Sequence, residues 1–235
     1  MNNVKFLHMG DSALTIVFSD TISDEINAKI HKICLAIEKL NVKGVIETLP
    51  TISAISVYFN PIEISFYKLK KILLSIIKNQ EEEKTQSKRV FLIPVCYDDE
   101  FALDMDSVLE LTKLSKSELI KIHTGQDYLI HMLGFLPGFA YLGGIDKRIA
   151  CKRLETPRTI IPKGSVGIGG NQTGIYPMES PGGWRIIGKT PVTLYDPNSE
   201  IPVAYKAGDY IRFFEITKDE FYSGEFNKIK VEEMQ

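Results

Sequence analysis

Cysteine is scarce: Cys34, Cys96 and Cys151 stand far apart in 235 residues, and none forms a CxxC pair. An odd, scattered set argues against a disulfide framework or a zinc site and suits small buried hydrophobes in a reducing compartment. A surplus of either charge is missing too. Lys and Arg number 28 against 30 Asp and Glu, for a formal charge of −2, so the basic excess of a nucleic-acid face is not there. No apolar run approaches the roughly 18 residues of a spanning helix. The opening MNNVKFLHMGDS holds no apolar core of the length a signal peptide needs, so a cytoplasmic protein is expected. Only four histidines occur, no two at metal-ligand spacing, and no metal is expected. The nucleophile elbow G-x-S-x-G is also missing, because Gly164-Ser-Val-Gly167 lacks the residue between glycine and serine.

What is present is ordinary globular material, 44% hydrophobic and 25% charged, enough for one large domain or two small ones. Leu14, Ile16 and Phe18 alternate as on a strand. Thr21-Ile-Ser-Asp-Glu25 offers helix-start oxygens and carboxylates, and Ile26, Ile30, Ile33, Ile37 and Leu40 recur at helical spacing. Residues 45–48 and 52–59 read as a hairpin turning near Leu49-Pro50. A second helix carries Phe66, Leu69, Leu73 and Ile77. Closed by a strand after residue 86, the order β-α-β-β-α-β is the ferredoxin-like pattern. The polar stretch 79–88, NQEEEKTQSK, is the linker candidate. A strand from Val90 follows, then a helix capped by Asp106 and a second opened by the capping box Ser115-Lys-Ser-Glu118 and ending near His123.

From Tyr128 onward glycine and proline punctuate short β-branched pieces: 159–161, 165–168, 184–187, 192–195, 201–203 and 210–214. Such a texture predicts a closed or sandwiched β domain. One piece, Gly183-Trp-Arg-Ile-Ile-Gly-Lys-Thr190, spells the phosphate-loop pattern G-x-x-x-x-G-K-[ST]. A real phosphate loop follows a buried strand and opens a helix. Here Pro191 pushes Thr190 out of the helical region, and the segment is read as a strand.

Three glycine-rich loops stand out, at 134–144, 162–170 and 180–184. Each could serve simply as turns; together they could bring backbone amides to a ligand. His131, Arg158, Lys163, Gln172, Tyr176, Glu179, Arg185 and Lys189 are interleaved with them, and the cations among these suit a carboxylate or phosphate. His123, at a helix end, fits capping and proton transfer equally well. His131 could face either side of its strand. Trp184, the only tryptophan, is read as a core anchor. Glu47, Glu63 and Glu81–Glu83 fall outside this region, so a carboxylate pair for glycoside cleavage is not supported.

Several unusual words then occur in order: YLIHMLGFLPGFAYLGG (128–144), TPR (156–158), PKGSVGI (162–168), NQTGIYP (171–177) and SPGGWRIIG (180–188). Together they closely resemble the PxpB/KipI family, also labelled allophanate hydrolase subunit 1. The resemblance implies an α+β chain: a ferredoxin-like domain over residues 1–85, then a cyclophilin-like β-barrel over 86–235. It implies the B-type component of an ATP-dependent 5-oxoprolinase, opening 5-oxo-L-proline to L-glutamate with PxpC/KipA-like and PxpA-like subunits and inactive alone. Two other roles stay open, a non-catalytic inhibitor of a sporulation histidine kinase and an allophanate or urea-pathway subunit. Residue chemistry and motif position make His123, Arg158 and Lys163 the catalytic candidates. Gly134, Phe135, Pro137, Gly138, Gln172, Tyr176, Glu179 and Arg185 are the substrate-binding candidates. Ala140, Lys163, Gly169 and Lys189 depart from the usual family residues without breaking a loop. The bends between Phe135 and Thr190 are expected to line one anion-friendly hollow that a second polypeptide completes.

Overall fold

The computed structural model describes residues 4–79 and 88–234, and the chain divides into two compact units, Met1–Gln86 and Ser87–Gln235. Most of the linker candidate 79–88, with Glu81–Glu83, lies outside the described residues.

The first unit holds β1 (Lys5–His8), β2 (Ala13–Val17), α1 (Asp24–Leu40), β3 (Val45–Pro50), β4 (Ala54–Phe59) and α2 (Phe66–Lys78). Its sheet runs β1-β2-β4-β3, antiparallel throughout. Both helices lay their isoleucines and leucines on one face, where Ile30, Ile33 and Ile37 meet Leu14, Ile16, Val57, Leu69 and Leu73. The edge strand beside β2 is β1, and not a strand after residue 86 as the ferredoxin-like pattern requires. A hairpin over residues 9–12, with Gly10 at φ 65, brings β1 to β2 at little loop-closure cost. The β3–β4 turn also moves, from Leu49-Pro50 to 51–53. Pro50 ends the sheet-edge strand β3, where proline is tolerated, and Thr51 Oγ1 closes the turn by donating to Ala54 O at 3.1 Å. Buried Asn27 ties α1 to that turn through Thr51 O and Ile52 O, both at 3.2 Å.

The second unit contains β5 (Lys88–Cys96), α3 (Met105–Thr112), α4 (Lys116–Thr124), β6 (Asp127–Leu133), β7 (Ala140–Leu142), β8 (Arg158–Ile161) and β9 (Ser165–Ile168). It continues with β10 (Thr173–Ile175), β11 (Ser180–Gly182), β12 (Arg185–Lys189), β13 (Tyr210–Ile216), α5 (Lys218–Ser223) and β14 (Lys230–Met234). Seven strands close a barrel in the order β12-β9-β10-β7-β6-β13-β5, with β5 pairing back to β12 at Cys96–Lys189. β14 adds to β5 over Lys88–Leu92, and β8 with β11 forms a separate two-stranded ribbon. The interior packs Val95, Tyr128, Ile130, Val166, Ile168, Ile187, Ile211 and Phe213 against Val108 and Leu119 of the two helices.

Two expected strands, 192–195 and 201–203, are irregular. Pro191, Pro197 and Pro202 supply no amide donor, yet Val192 and Leu194 still reach the core. The first helix starts after Asp104, whose side chain makes no capping hydrogen bond, and the expected cap Asp106 lies inside its first turn. The second is capped as expected: Ser115 accepts from Glu118 N, and the Glu118 carboxylate accepts from Ser115 N at 2.9 Å. Ser115→Ala is expected to cost about 1 kcal/mol, read by calorimetry as a Tm lowered by about 3 °C.

Candidate functional site

Strand registers decide which bends share an end of the barrel. β9 runs antiparallel to β10 and β12, so Val166 faces Ile175 and Gly188, while Ile168 faces Thr173 and Arg185. Connections leaving Ser165, Ile175 and Lys189 therefore lie at one end, and the 169–172 turn lies at the other beside Arg185. Loop 134–139 belongs to the first end. It links paired Leu133 and Ala140, and a Cβ built on Gly138 would stand 3.1 Å from Tyr195 Cβ and 3.5 Å from Pro177 Cβ. The expected single hollow is therefore not formed within this chain. Antiparallel neighbours send successive connections to alternate ends, so glycine bends close in sequence are split in space.

Loop 134–139 is firmly built. Phe139 N donates to Leu136 O at 3.0 Å, Leu136 N to Gly134 O at 2.9 Å, and the buried Tyr205 hydroxyl to Gly138 O. Gly138 sits at φ 80, where a side chain would be strained as well as crowded. Behind the loop stands an aromatic wall of Phe139, Tyr141, Tyr176 and Trp184. Phe139 meets Tyr176 and Trp184 edge-on at centroid distances of 5.2 and 5.5 Å. Trp184 is buried over a glycine floor: a Cβ on Gly169 would come 2.5 Å from its ring, and one on Gly174 3.0 Å. It is the anchor expected from sequence. Burial also raises the Tyr176 hydroxyl above its usual range. Pro137, Lys163 and Glu179 are exposed at this end, with Lys163 Nζ 3.5 Å from Thr193 Oγ1.

The other cations are already engaged. Arg158 forms a two-pronged ion pair with buried Asp104, at 2.7 and 2.8 Å. The same carboxylate accepts from Ile186 N at 2.7 Å, and Asp104 N donates to Ile186 O at 2.8 Å. Arg185 donates to Ser107 Oγ at 2.8 Å and Lys152 O at 2.9 Å. Both arginines thus brace the segment 180–187 against α3 and the 152 loop. Lys189 ends a strand, with Nζ 5.6 Å from the Phe101 ring centre, and no helix opens after it. The phosphate-loop spelling has no cradle. Gln172 is buried at the opposite end of the barrel from loop 134–139.

His123 lies inside the barrel and away from the rim, wholly buried and stacked on Phe213 at 4.5 Å. Thr173 Oγ1 gives its proton to Gly167 O at 3.0 Å, so it accepts from His123 Nε2 at 2.9 Å. Nδ1 is left to accept from the Tyr97 hydroxyl at 2.7 Å. The tautomer follows from the donor inventory. Burial lowers the imidazole to about 3, so it is neutral. Both ring nitrogens are occupied and solvent is excluded, which makes His123 part of the packing in this unit and removes it from the set at the rim. His131 is buried on β6. The three thiols are buried too, with Cys34 raised to about 12 and Cys151 to about 11 by desolvation. Among the described residues no cluster of histidine, cysteine and carboxylate groups could hold a metal, and no helix is long and apolar enough to cross a membrane.

Asp104 escaped the sequence reading, because its partners Arg158 and Ile186 lie 54 and 82 positions away. An aspartate before a helix reads as a cap, and nothing local says its carboxylate points elsewhere.

The family described as "Carboxyltransferase domain, subdomain C and D" matches residues 4–205. The B-type component of 5-oxoprolinase from Bacillus subtilis is 38% identical over 225 residues, covering 92% of this chain and 94% of that one. Among solved structures, the protein TTHA0988 aligns with a TM-score of 0.76 at 30% identity, covering 87% of this chain. This chain spans only 40% of TTHA0988. The Kluyveromyces lactis urea carboxylase aligns with a TM-score of 0.81 over 98% of this chain and 24% of its own. At 20% identity it shows a shared fold.

Proposed function

Because the chain belongs to the carboxyltransferase subdomain C and D family, and within it to the PxpB/KipI group of 5-oxoprolinase components, we propose that it is the B-type component of an ATP-dependent 5-oxoprolinase. One observation carries the reading: the end-to-end match to the B-type component of the Bacillus subtilis 5-oxoprolinase, covering 92% of this chain and 94% of that one. A distant shared fold could serve many chemistries; collinear identity along both whole chains is far more restrictive.

The proposed reaction opens the lactam of 5-oxo-L-proline to L-glutamate at the expense of ATP. Transfer of the γ-phosphoryl group of ATP to the amide oxygen, releasing ADP, makes the ring carbon electrophilic. Water adds there, and the carbon–nitrogen bond breaks to give an amine and an acyl phosphate. A second water hydrolyses the acyl phosphate to carboxylate and phosphate. The segment spelled like a phosphate loop is a strand here and does not fit a triphosphate, so no step through ATP is assigned to this chain. Its thiols and His123 are buried, and Arg158 and Arg185 are engaged with other side chains. These placements support a chain that contributes a rigid surface to a cytoplasmic complex and is inactive alone, with C-type and A-type subunits as its partners. Loop 134–139, with Lys163, Tyr176 and Glu179 at the same barrel end, is the surface proposed to face the shared site.

The test is reconstitution. The chain is co-expressed with the C-type and A-type subunits of its own genome, and ATP hydrolysis is followed with and without 5-oxoproline. Co-elution with 5-oxoproline-dependent turnover, absent for each component alone, is the expected result. A chain that neither co-elutes nor supports turnover, yet inhibits a histidine kinase's autophosphorylation, would overturn it in favour of a regulator.

A further inference from the structure

Phe135 combines three properties that rarely meet in one residue. It is aromatic, its side chain is among the exposed large hydrophobics at 58%, and its backbone is left-handed at φ 70. A bulky residue in that region is strained, so glycine or asparagine would serve a mere turn better. The loop nonetheless holds it in place by the hydrogen bonds at Gly134, Leu136 and Phe139 and by the Tyr205 hydroxyl on Gly138 O. The ring meets Phe139 and Tyr176 edge-on, at 5.5 and 6.5 Å, and leaves the rest of its surface outward. Exposed Pro137 stands beside it. From Tyr128 to Ile145 there is no Asp, Glu, Lys or Arg, so the loop itself offers a partner no charged side chain, and the exposed charges at this end, Lys163 and Glu179, come from other segments.

From this geometry we propose, resting on the 5-oxoprolinase-component reading above, that Phe135 is a preformed knob that enters an uncharged apolar pocket on a partner subunit of the complex. Rigid aromatic anchors at the centre of an interface carry a large share of binding energy, because their ordering cost is met before association. The strain at φ 70 is tolerated in the free chain because the loop imposes it, and the ring rests edge-on against Phe139 and Tyr176 while more than half of it stays exposed. A partner is favoured over a second copy by the company this fold keeps. The TTHA0988 chain matches 87% of this one with only 40% of its own length. More than half of that chain is therefore further polypeptide, able to cover what a stand-alone component leaves open. The uncharged loop around Phe135 suits an apolar pocket.

The experiment uses Phe135→Gly and Phe135→Asn, both of which accept a left-handed backbone. The melting temperature of each variant alone is expected within about 2 °C of the parent, since strain relief offsets the lost edge contacts. Affinity for the partner subunits, measured by titration calorimetry or interferometry, is expected to fall about 30-fold, the equivalent of ~2 kcal/mol. Failure of the parent chain to bind any partner subunit would sink the 5-oxoprolinase reading itself. Binding by the parent that both variants retain unchanged would overturn the knob alone. The knob is also overturned if the variants keep partner affinity but raise the KM for 5-oxoproline, which would make Phe135 a substrate contact. Self-association of the parent chain that both variants lose, seen by sedimentation, would assign the ring to a second copy and overturn the proposal as well.

Discussion

Asp104→Ala is expected to lower the stability of the second unit by about 3 kcal/mol, near the low end for breaking a buried ion pair because Arg158 keeps some solvent contact. Its carboxylate is 6% exposed while the Arg158 side chain is 30% exposed. The carboxylate accepts three donors, two from the Arg158 guanidinium and one from Ile186 N. Alanine leaves the guanidinium without its counter-charge and the Ile186 amide without that acceptor, in a segment that also carries Trp184. For a unit of this size the loss corresponds to a Tm lowered by roughly 6–12 °C. Asp104→Asn keeps an acceptor for the amide and is expected to lose less. A cycle with Arg158→Ala decides the origin. If the ion pair carries the effect, the double variant is less destabilised than the sum of the singles. Additive losses would mean that Asp104 acts only through Ile186 and the helix start.

The second large effect is a pH dependence. His123 titrates at about 3 in the folded chain, against 6.5 for an ordinary imidazole, because desolvation disfavours its charged form. Below pH 6.5 the unfolded chain takes up a proton at this position that the folded chain refuses. The stabilisation is therefore complete above pH 6.5 and is lost as pH falls toward 3. The slope approaches about 1.4 kcal/mol per pH unit, and the accumulated loss near pH 3 is roughly 4–5 kcal/mol. Urea midpoints of the parent at pH 7, 6, 5 and 4 are expected to show this proton. His123→Gln, less stable at pH 7 because the Tyr97 and Thr173 hydroxyls lose matched partners, is expected to show a slope shallower by one proton. Parallel slopes for parent and variant would mean that the imidazole is not held neutral.

Both effects come from side chains whose roles differ from those read in the sequence. His123 at a helix end fitted capping or proton transfer, and an arginine in the word TPR fitted anion binding. The fold uses the first as the middle of a chain of donated hydrogen bonds from Tyr97 through Thr173 to Gly167. It uses the second as a brace to α3. Neither outcome is written locally, since Tyr97 and Thr173 stand 26 and 50 positions from His123. Elements with strong periodicity or capping chemistry were legible: the isoleucine face of α1, the capping box of α4, and the strand over the phosphate-loop spelling. The edge strand of the first sheet was misplaced, because any strand of suitable alternation could fill that edge and loop length decided which one did.

Local chemistry in the chain thus settles its class, its helix starts, its glycine-punctuated barrel strands and, through five ordered words between 128 and 188, its family. Tertiary structure alone decides which bends share an end of the barrel, because strand parity and register depend on pairings remote in sequence. It also decides that Arg158 faces Asp104, that His123 is sealed inside, and that Phe135 points outward. Each of these depends on the side chain's neighbours in space, and burial and pairing set both its charge state and its reach.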